Sequence, residues 1–234
     1  MRSILFYLGF LPLTLFMTLS GFVIALVAGA DALHNWARIW GRLGLRLAGV
    51  QLTTSGTERI PADRPIIFMG NHQSNVDILA LLAAIPGQFR WLAKAELFRI
   101  PLFGAVMRRA GYIPVERGDR QQSIESMKAV ADRIAGGASV IIFPEGTRSS
   151  DGLLQPFKKG GFLVALQAGA DIVPFAIDGS YKVMPKGKPG VHSGAIHITF
   201  FAPVQVAGRS VRQLRSIMSE VRAPIAATVG ATES

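Results

Sequence analysis

The sequence predicts an α/β fold, in which a mixed, largely parallel sheet is covered by helices on both faces and preceded by a membrane-embedded pair of helices. Three observations support this prediction. Residues 3–30 are apolar and carry no formal charge, and residues 31–50 have the periodicity of an amphipathic helix. From about residue 52 onward, short apolar runs alternate with helical stretches. These runs lack the polar alternation of half-exposed strands, so they indicate strands buried on both faces.

The composition narrows the class of protein. The 234 residues suffice for one full core and an appendage, and the apolar content of 50% exceeds that of an ordinary soluble domain. The 25 Lys and Arg against 15 Asp and Glu give a net charge of +10, which attracts phosphate-bearing ligands, anionic lipid or acidic proteins. No nucleic-acid-binding module is recognisable, so nucleic acid is not an expected partner. The absence of cysteine excludes disulfides and a thiolate nucleophile.

Residues 3–30 are long enough to cross a bilayer, for which about 20 apolar residues suffice. A secretory signal peptide is the alternative, with Arg2 as its basic end and residues 28–30 as a small-residue cleavage site. The apolar stretch is, however, much longer than the roughly 7–15 residues usual in signal peptides. We therefore interpret it as a membrane segment that either spans the bilayer or is embedded in one leaflet.

Residues 31–50 are predicted to form a helix with two distinct sides. Two tryptophans and several leucines recur on one side, while Arg38, Arg42 and Arg46 form a basic stripe on another. This pattern is typical of an interfacial helix, and an amphipathic helix packed on the core is the alternative. Because the arginines follow the apolar segment, the positive-inside rule predicts an inner-membrane protein whose body faces the cytoplasm. Residues 1–50 are thus predicted to anchor a domain of residues 51–234.

Strands and helices alternate through this second domain. Turn signals at residues 86–87 and 136–137 separate the stretches, and Pro101 interrupts one of the helical patterns. The predicted strands are residues 65–69, 89–93, 112–115, 139–143, 172–177 and 196–201. The predicted helices are residues 77–85, a stretch from 94 to 109 broken by the proline, 120–135, 157–168 and 211–223. Ligand-binding residues are expected where the strands end.

A histidine and an aspartate follow the strand at residues 65–69. A neutral imidazole suits a general base that takes a proton from an alcohol, and His72 lies in a loop where it can meet a substrate. On one regular helix, the side chains of His72 and Asp77 would diverge by roughly 140°, so they meet only if His72 precedes the helix. Ser74 has capping-box spacing to Asp77 and favours an arrangement in which Asp77 orients His72. The alternatives are a merely helix-capping Asp77 and a polar loop residue at position 72.

A second group of polar residues follows the strand at residues 139–143. Gly146 allows the backbone to approach a ligand closely, and Arg148 can bind a phosphate through two hydrogen bonds. A plain β-turn, with Arg148 neutralised by Glu145, is the alternative. No further cluster of histidines or carboxylates accompanies either group, so a metal site is not expected.

Other cations also follow predicted strands. Lys94 follows residues 91–93, and Arg117 follows the run that ends at residue 115. Lys158 and Lys159 lie at the start of a predicted helix, whose first backbone N–H groups offer an anion site. Each cation alone is typical of a solvated surface, whereas together they indicate an anionic ligand.

Four blocks of residues, in order, resemble the 1-acyl-glycerol-3-phosphate acyltransferase family of phospholipid biosynthesis. The blocks are residues 71–77 (NHQSNVD), 111–117 (GYIPVER), 143–149 (FPEGTRS) and 172–177 (IVPFAI). Residues 91–98 (WLAKAELF) are similar to the family's intervening segment, apart from Ala95, where another lysine is common. The resemblance spans roughly residues 52–201.

The resemblance implies an enzyme that moves an acyl chain from acyl-CoA or acyl carrier protein to the sn-2 hydroxyl of lysophosphatidic acid, making phosphatidic acid. It implies that His72 is the general base and Asp77 its partner. The residues implied in substrate binding are Lys94, Arg117, Glu145, Gly146, Thr147, Arg148 and Lys159. No metal or other cofactor is expected, because a thioester is already activated. The lipid bilayer is an expected partner, because both lipids reside in it.

Two alternatives stay open. The four blocks describe the chemistry better than the head group, so the acceptor could be another lyso-lipid such as lyso-ornithine lipid. A non-catalytic membrane protein that binds anionic lipid through its basic face is an alternative of a different class. A serine hydrolase is disfavoured because no G-x-S-x-G motif occurs, and no P-loop supports a nucleotide-binding protein.

Overall fold

The computed structural model describes residues 1–116 and 120–229, and its first two elements are the helices α1 (Arg2–Val27) and α2 (Ala30–Ala48). The strands are β1 (Val50–Ser55), β2 (Ile67–Gly70), β3 (Arg90–Lys94), β4 (Ile113–Val115), β5 (Val140–Ile142), β6 (Ile172–Asp178) and β7 (Gly194–Phe200). The other helices are α3 (Val76–Ala84), α4 (Phe103–Arg109), α5 (Arg120–Ala135), α6 (Gly160–Ala168), α7 (Ser180–Val183) and α8 (Leu214–Val229).

The seven strands of the described residues form one sheet in the order β1-β7-β6-β2-β5-β3-β4. All neighbours are parallel except β6 and β7, which pair antiparallel. The prediction of a mixed, largely parallel sheet is therefore confirmed. Because β2, β3, β5 and β6 run in the same direction, the loops that follow them meet at one edge of the sheet.

Side chains alternate along the strands between two cores, one on each face of the sheet. Phe68 and Ile141 contribute to the core that α2 and α3 cover, whereas Ile67, Met69 and Val140 contribute to the core beneath α5, α6 and α8. This arrangement confirms the predicted helical cover on both faces, and it explains why the strands read as continuous apolar runs.

The helix α2 approaches the body most closely at small residues and not at its tryptophans. Gly41 lies so close to α3 that an added Cβ would come within 2.9 Å of the carbonyl oxygen of Leu79. Trp40 turns towards α1 instead, where its Nε1 donates a hydrogen bond to Thr14 Oγ1 at 3.0 Å. Periodicity alone grouped the tryptophans with the leucines, but helices approach most closely where side chains are small.

The helix α1 leaves much of its apolar surface uncovered. Among the described residues, α1 is the one helix that is long and apolar enough to cross a membrane, judged by length and composition. Its outward side chains, including Leu8, Leu15 and Phe16, are exposed. This surface lies on the side of α1 turned away from α2 and the body.

Some elements differ from the predicted ones. Part of the stretch predicted as helix before Pro101 is a 3-10 turn (Ala95–Arg99), and the predicted final helix also begins as a 3-10 turn (Val211–Gln213). The sequence did not indicate β1, because β1 is an edge strand with mostly exposed polar side chains. It did not indicate α7 either, because α7 is a single turn.

Candidate active site

His72 and Asp77 meet at the carboxyl end of β2. The distance between His72 Nδ1 and Asp77 Oδ2 is 2.7 Å, and the same carboxylate oxygen accepts hydrogen bonds from the backbone N–H groups of Gln73 (2.8 Å) and Ser74 (2.9 Å). Asp77 is fully buried. A neutral imidazole that donates from Nδ1 carries its lone pair on Nε2, so this pairing leaves Nε2 to accept a proton.

The start of α3 differs slightly from the predicted capping box. The N-cap residue is Asn75, and Ser74 Oγ accepts a hydrogen bond from the N–H of Val76 at 3.1 Å. Asp77 still reaches back to the N–H of Ser74, as the acidic residue of a capping box does. The chain therefore turns between His72 and Asp77, which is what brings their side chains together.

Asn71 fixes the loop that carries His72. Its side-chain amide donates to the carbonyl oxygen of Ile177 at 2.8 Å and accepts from the N–H of Ile177 at 2.7 Å. This side chain thus pairs with β6 as a strand residue would. Gly70 precedes it at a point where an added Cβ would lie 2.3 Å from the ring of Phe175.

The imidazole of His72 stacks on the ring of Phe143. The two ring centroids are 3.9 Å apart and the ring planes differ by 10°. Phe143 directly follows β5, which is the neighbour of β2 in the sheet. The strand β5 therefore supplies one wall of the site. The sequence does not indicate this role of Phe143, because a contact across 71 positions leaves no local pattern.

Glu145, which the resemblance implied in substrate binding, holds two loops together. One carboxylate oxygen accepts from the N–H of His72 at 2.6 Å, and the other accepts from the N–H of Gln155 at 2.9 Å. Burial raises the pKa of Glu145 to about 7, whereas these two N–H groups favour the ionised form and lower it. With both carboxylate oxygens engaged by the backbone, Glu145 acts on the site by positioning His72.

Two lysines lie against the loop of residues 146–148. Gly146 has a φ of +75°, and an added Cβ would lie 2.9 Å from Lys158 Nζ. Lys186 Nζ donates to the carbonyl oxygen of Arg148 at 2.8 Å and lies 3.3 Å from Oγ1 of the exposed Thr147. The sequence does not indicate Lys186 as a site residue, because Lys186 follows α7 and not a predicted strand.

The remaining predicted residues are spread around the site. Lys94 and Arg148 line the same cavity as His72, and Lys94 also pairs with Glu96 at 2.8 Å. Lys159 is exposed at the N-cap position of α6. Arg117 lies outside the described residues. The structure therefore brings His72, Lys94 and Arg148 to one cavity, with Glu145, Gly146 and Thr147 in the loop beside it.

This cavity has a volume of about 510 Å³, within the usual range for small-molecule sites. Its wall is mostly apolar and comes from α1, α2, α3 and α4, with Met17, Trp36, Leu82 and Phe103 among its residues. Cationic and imidazole groups meet apolar side chains in one space. Such a space suits a ligand with an anionic group and a hydrocarbon chain.

Comparison with known proteins gives relatives along most of the chain. Residues 51–178 match the family model described as Acyltransferase. The chloroplastic 1-acyl-sn-glycerol-3-phosphate acyltransferase BAT2 of Brassica napus is 34% identical over 173 residues, which cover 73% of this chain and 50% of that protein. The human 1-acyl-sn-glycerol-3-phosphate acyltransferase alpha is 30% identical over 177 residues, which cover 75% of this chain and 62% of that protein. The chain thus spans about half the length of the first of these relatives.

A solved structure is similar over the full length. The crystal structure of the 1-acyl-sn-glycerophosphate (LPA) acyltransferase PlsC from Thermotoga maritima matches with a TM-score of 0.82 and 25% sequence identity, covering 100% of both chains. The family model covers more than half of this chain, and the relatives carry the same kind of name. The chain therefore belongs to the acyltransferase family.

Proposed function

We propose that the protein transfers an acyl chain from a thioester to the sn-2 hydroxyl of 1-acylglycerol-3-phosphate (lysophosphatidic acid), which makes phosphatidic acid. The observation that carries this proposal is the His72–Asp77 pair, at 2.7 Å, on a largely apolar cavity that Arg148 also lines. Relatives that are 30% and 34% identical are named for this acceptor, which supports it as the substrate.

The reaction needs one base and no activated enzyme nucleophile. As the acceptor hydroxyl oxygen attacks the thioester carbonyl, its proton passes to Nε2 of His72, and the buried Asp77 carboxylate stabilises the resulting imidazolium. The tetrahedral intermediate then collapses, the C–S bond breaks, and the leaving thiolate takes the proton from His72. The products are the ester and a free thiol, so proton and charge balance without a metal.

Cations around the cavity suit the charges of the substrates. Arg148 can bind the acceptor phosphate through two hydrogen bonds, and Lys158 and Lys186 lie against the same loop. Lys94 is a candidate for stabilising the oxyanion that forms on the thioester carbonyl. Acyl-CoA and acyl carrier protein are both acidic donors, and the net charge of +10 favours their approach.

The proposed site of action is the inner membrane, with the body facing the cytoplasm. The acceptor and the product are both membrane lipids, so the cavity must reach the bilayer. The exposed apolar side of α1 supports embedding of the helix pair, because water disfavours so large an apolar surface.

The test is thiol release from acyl-CoA or acyl carrier protein by the purified protein in detergent, with and without lysophosphatidic acid. We expect release that requires lysophosphatidic acid, and a rate about 10²–10⁴-fold lower in His72→Ala, the range that a general base contributes. His192→Ala is the matched control, because His192 is exposed on the loop before β7.

Each other outcome rejects a defined part of the proposal. Equal turnover by the wild type and a folded His72→Ala variant would reject His72 as the general base. Absence of thiol release with every donor and lyso-lipid would favour a non-catalytic lipid-binding protein. Thiol release that needs another lyso-lipid, such as lyso-ornithine lipid, would reject the acceptor and keep the chemistry.

A further inference from the structure

A second exposed apolar surface lies on the body, outside α1 and α2. It consists of Leu97, Ile100, Pro101 and Leu102, and we call these four residues the apolar tip. Leu97, Ile100 and Leu102 are between 39% and 47% exposed, and Pro101 is exposed as well. Single exposed leucines are ordinary, but a cluster of apolar side chains within six positions marks a binding surface.

The backbone of the apolar tip is strained. Leu102 has φ 59° and ψ −54°, and the N–H of Phe103 donates to the carbonyl oxygen of Pro101 at 2.6 Å. These values describe a γ-turn of the classic type, which is rare and strained for residues other than glycine. Among the described residues, Leu102 is the one non-glycine residue with a positive φ. A large apolar side chain thus occupies a position that glycine would occupy without strain.

The base of the apolar tip is held firmly against the body. Phe98 is buried, and its carbonyl oxygen accepts a hydrogen bond from Arg108 at 2.6 Å. Gly104 lies so close to Phe98 that an added Cβ would come within 2.1 Å of the same oxygen. The side chains of the apolar tip therefore face outward, because the buried Phe98 occupies the space beneath them.

The helix α4 connects the apolar tip to α1. The helix α4 begins directly after Leu102 and packs on α1, where Arg109 donates to the carbonyl oxygen of Ala25 at 2.8 Å. Leu97 lines the cavity together with Met17 of α1. The apolar tip and α1 thus border the same cavity, and both expose aliphatic side chains.

We propose that the apolar tip inserts into a bilayer that contains anionic lipids, as a membrane contact separate from α1 and α2. Arg99 lies between Leu97 and Ile100 and pairs with Glu116 at 3.5 Å, but its side chain is 74% exposed, so it can exchange this pairing for a lipid phosphate while its neighbours enter the acyl-chain region. Aliphatic side chains beside an arginine fit a lipid surface better than a protein partner, for which aromatic anchors are typical. This proposal does not depend on the proposed reaction.

The absence of cysteine in the chain allows a direct test. The full-length variant Leu102→Cys is labelled with a nitrobenzoxadiazole dye and reconstituted into vesicles of phosphatidylcholine and phosphatidylglycerol that carry nitroxide groups on their acyl chains. Leu15→Cys on α1 is the positive control. Val211→Cys is the matched negative control, because Val211 is an exposed aliphatic residue beside α8, on the other face of the sheet.

Insertion predicts that nitroxide lipids quench the label at position 102 at least about twofold more than the label at position 211, with a blue-shifted emission. Quenching at position 15 but not at position 102 would overturn the proposal. A blue shift at position 102 that appears in detergent without vesicles and grows with protein concentration would assign the surface to a second copy of the chain, which also overturns it. The readout needs no turnover, so it stays independent of the acyl-transfer assay.

Discussion

His72 is held in place by four neighbours, of which Asp77 lies on α3 and the other three lie within residues 143–149. Asp77 binds the ring Nδ1, Glu145 accepts from the backbone N–H, and Ser149 donates its N–H to the backbone carbonyl at 2.7 Å. Phe143 supplies the stacked ring. Because the backbone is fixed from both sides, the position of the ring depends on contacts that can be removed one at a time.

Replacing Phe143 with leucine should slow the chemical step. The face of an aromatic ring stabilises a cation by about 0.5–2 kcal/mol, and the His72 imidazolium forms while the ring lies on Phe143. We therefore expect kcat to fall about 2–30-fold in Phe143→Leu and to stay near the wild-type value in Phe143→Tyr. The measurement is steady-state thiol release with saturating substrates. Phe201→Leu, a half-buried phenylalanine in the other core, is the control, and an equal loss there would assign the effect to stability.

Glu145 should make the stability of the fold depend on pH. Burial raises the pKa of Glu145 from 4.5 to about 7, so the folded chain binds this proton more tightly than the unfolded chain does. The stabilisation is therefore complete below about pH 4.5 and is lost as the pH rises through about 7. A shift of this size corresponds to about 3 kcal/mol.

The variant Glu145→Gln removes this titration. We expect its free energy of unfolding to lose the pH dependence that Glu145 adds between pH 4 and pH 8, because the amide stays neutral. The variant should also be less stable by about 1–3 kcal/mol at every pH, because the amide NH2 cannot accept from one of the two backbone N–H groups that Glu145 binds. Denaturant unfolding in detergent across that pH range measures the difference. Glu58→Gln, at an exposed carboxylate, is the control. Parallel curves for Glu145→Gln and the wild type would show that the N–H groups of His72 and Gln155 outweigh burial.

At this scale, local contacts were predictable and long-range ones were not. His72 and Asp77 are five positions apart, so helix geometry predicted the condition under which they meet, a chain that turns between them. Asn71 binds Ile177, which is 106 positions away, and nothing in either local pattern indicates that pairing. The same holds for Lys186, whose contact with Arg148 spans 38 positions.

Among the elements, the contact between α2 and α3 depends on glycine. An added Cβ at Gly41 would lie 2.9 Å from the Leu79 carbonyl oxygen, which is backbone and cannot turn aside. Alanine would favour the helix by about 1 kcal/mol, but overpacking costs about 1–3 kcal/mol. We expect Gly41→Ala to lower the free energy of unfolding by up to about 2 kcal/mol. Gly160→Ala is the control, since no atom lies within 4 Å of its added Cβ, and a similar loss there would contradict the close contact as the cause.

Strand burial decided which elements were predictable. β2, β5 and β6 are buried on both faces, so their apolar runs stand out in the sequence. β1 lies beside β7 at the edge of the sheet, and its polar residues resemble a loop. The antiparallel pairing of β6 with β7 is a long-range property of the sheet that local periodicity does not encode.

At the scale of the whole molecule, the helix pair and the body share one core. Phe6, Leu45 and Ala48 belong to the same buried cluster as Phe68 of the central sheet. Both helices also supply wall residues of the cavity that contains His72. Residues 1–50 were predicted as an anchor attached to a domain of residues 51–234, and this shared core makes the two parts interdependent in packing.

We therefore expect a chain that lacks residues 1–49 to lose both solubility and acyl transfer. The deletion would expose Leu79 and Leu82, which are buried in the full chain, and would open the cavity beside His72. The measurements are size-exclusion chromatography, near-UV circular dichroism and thiol release with a short-chain lysophosphatidate that stays monomeric in water.

The matched control is a full-length variant in which exposed leucines of α1, such as Leu8 and Leu15, are replaced by glutamine. This control should keep its near-UV spectrum and its turnover of the monomeric substrate, because the cavity wall is intact. A monomeric, folded deletion variant that turns over this substrate at the full-length rate would show that residues 1–49 serve only as an anchor.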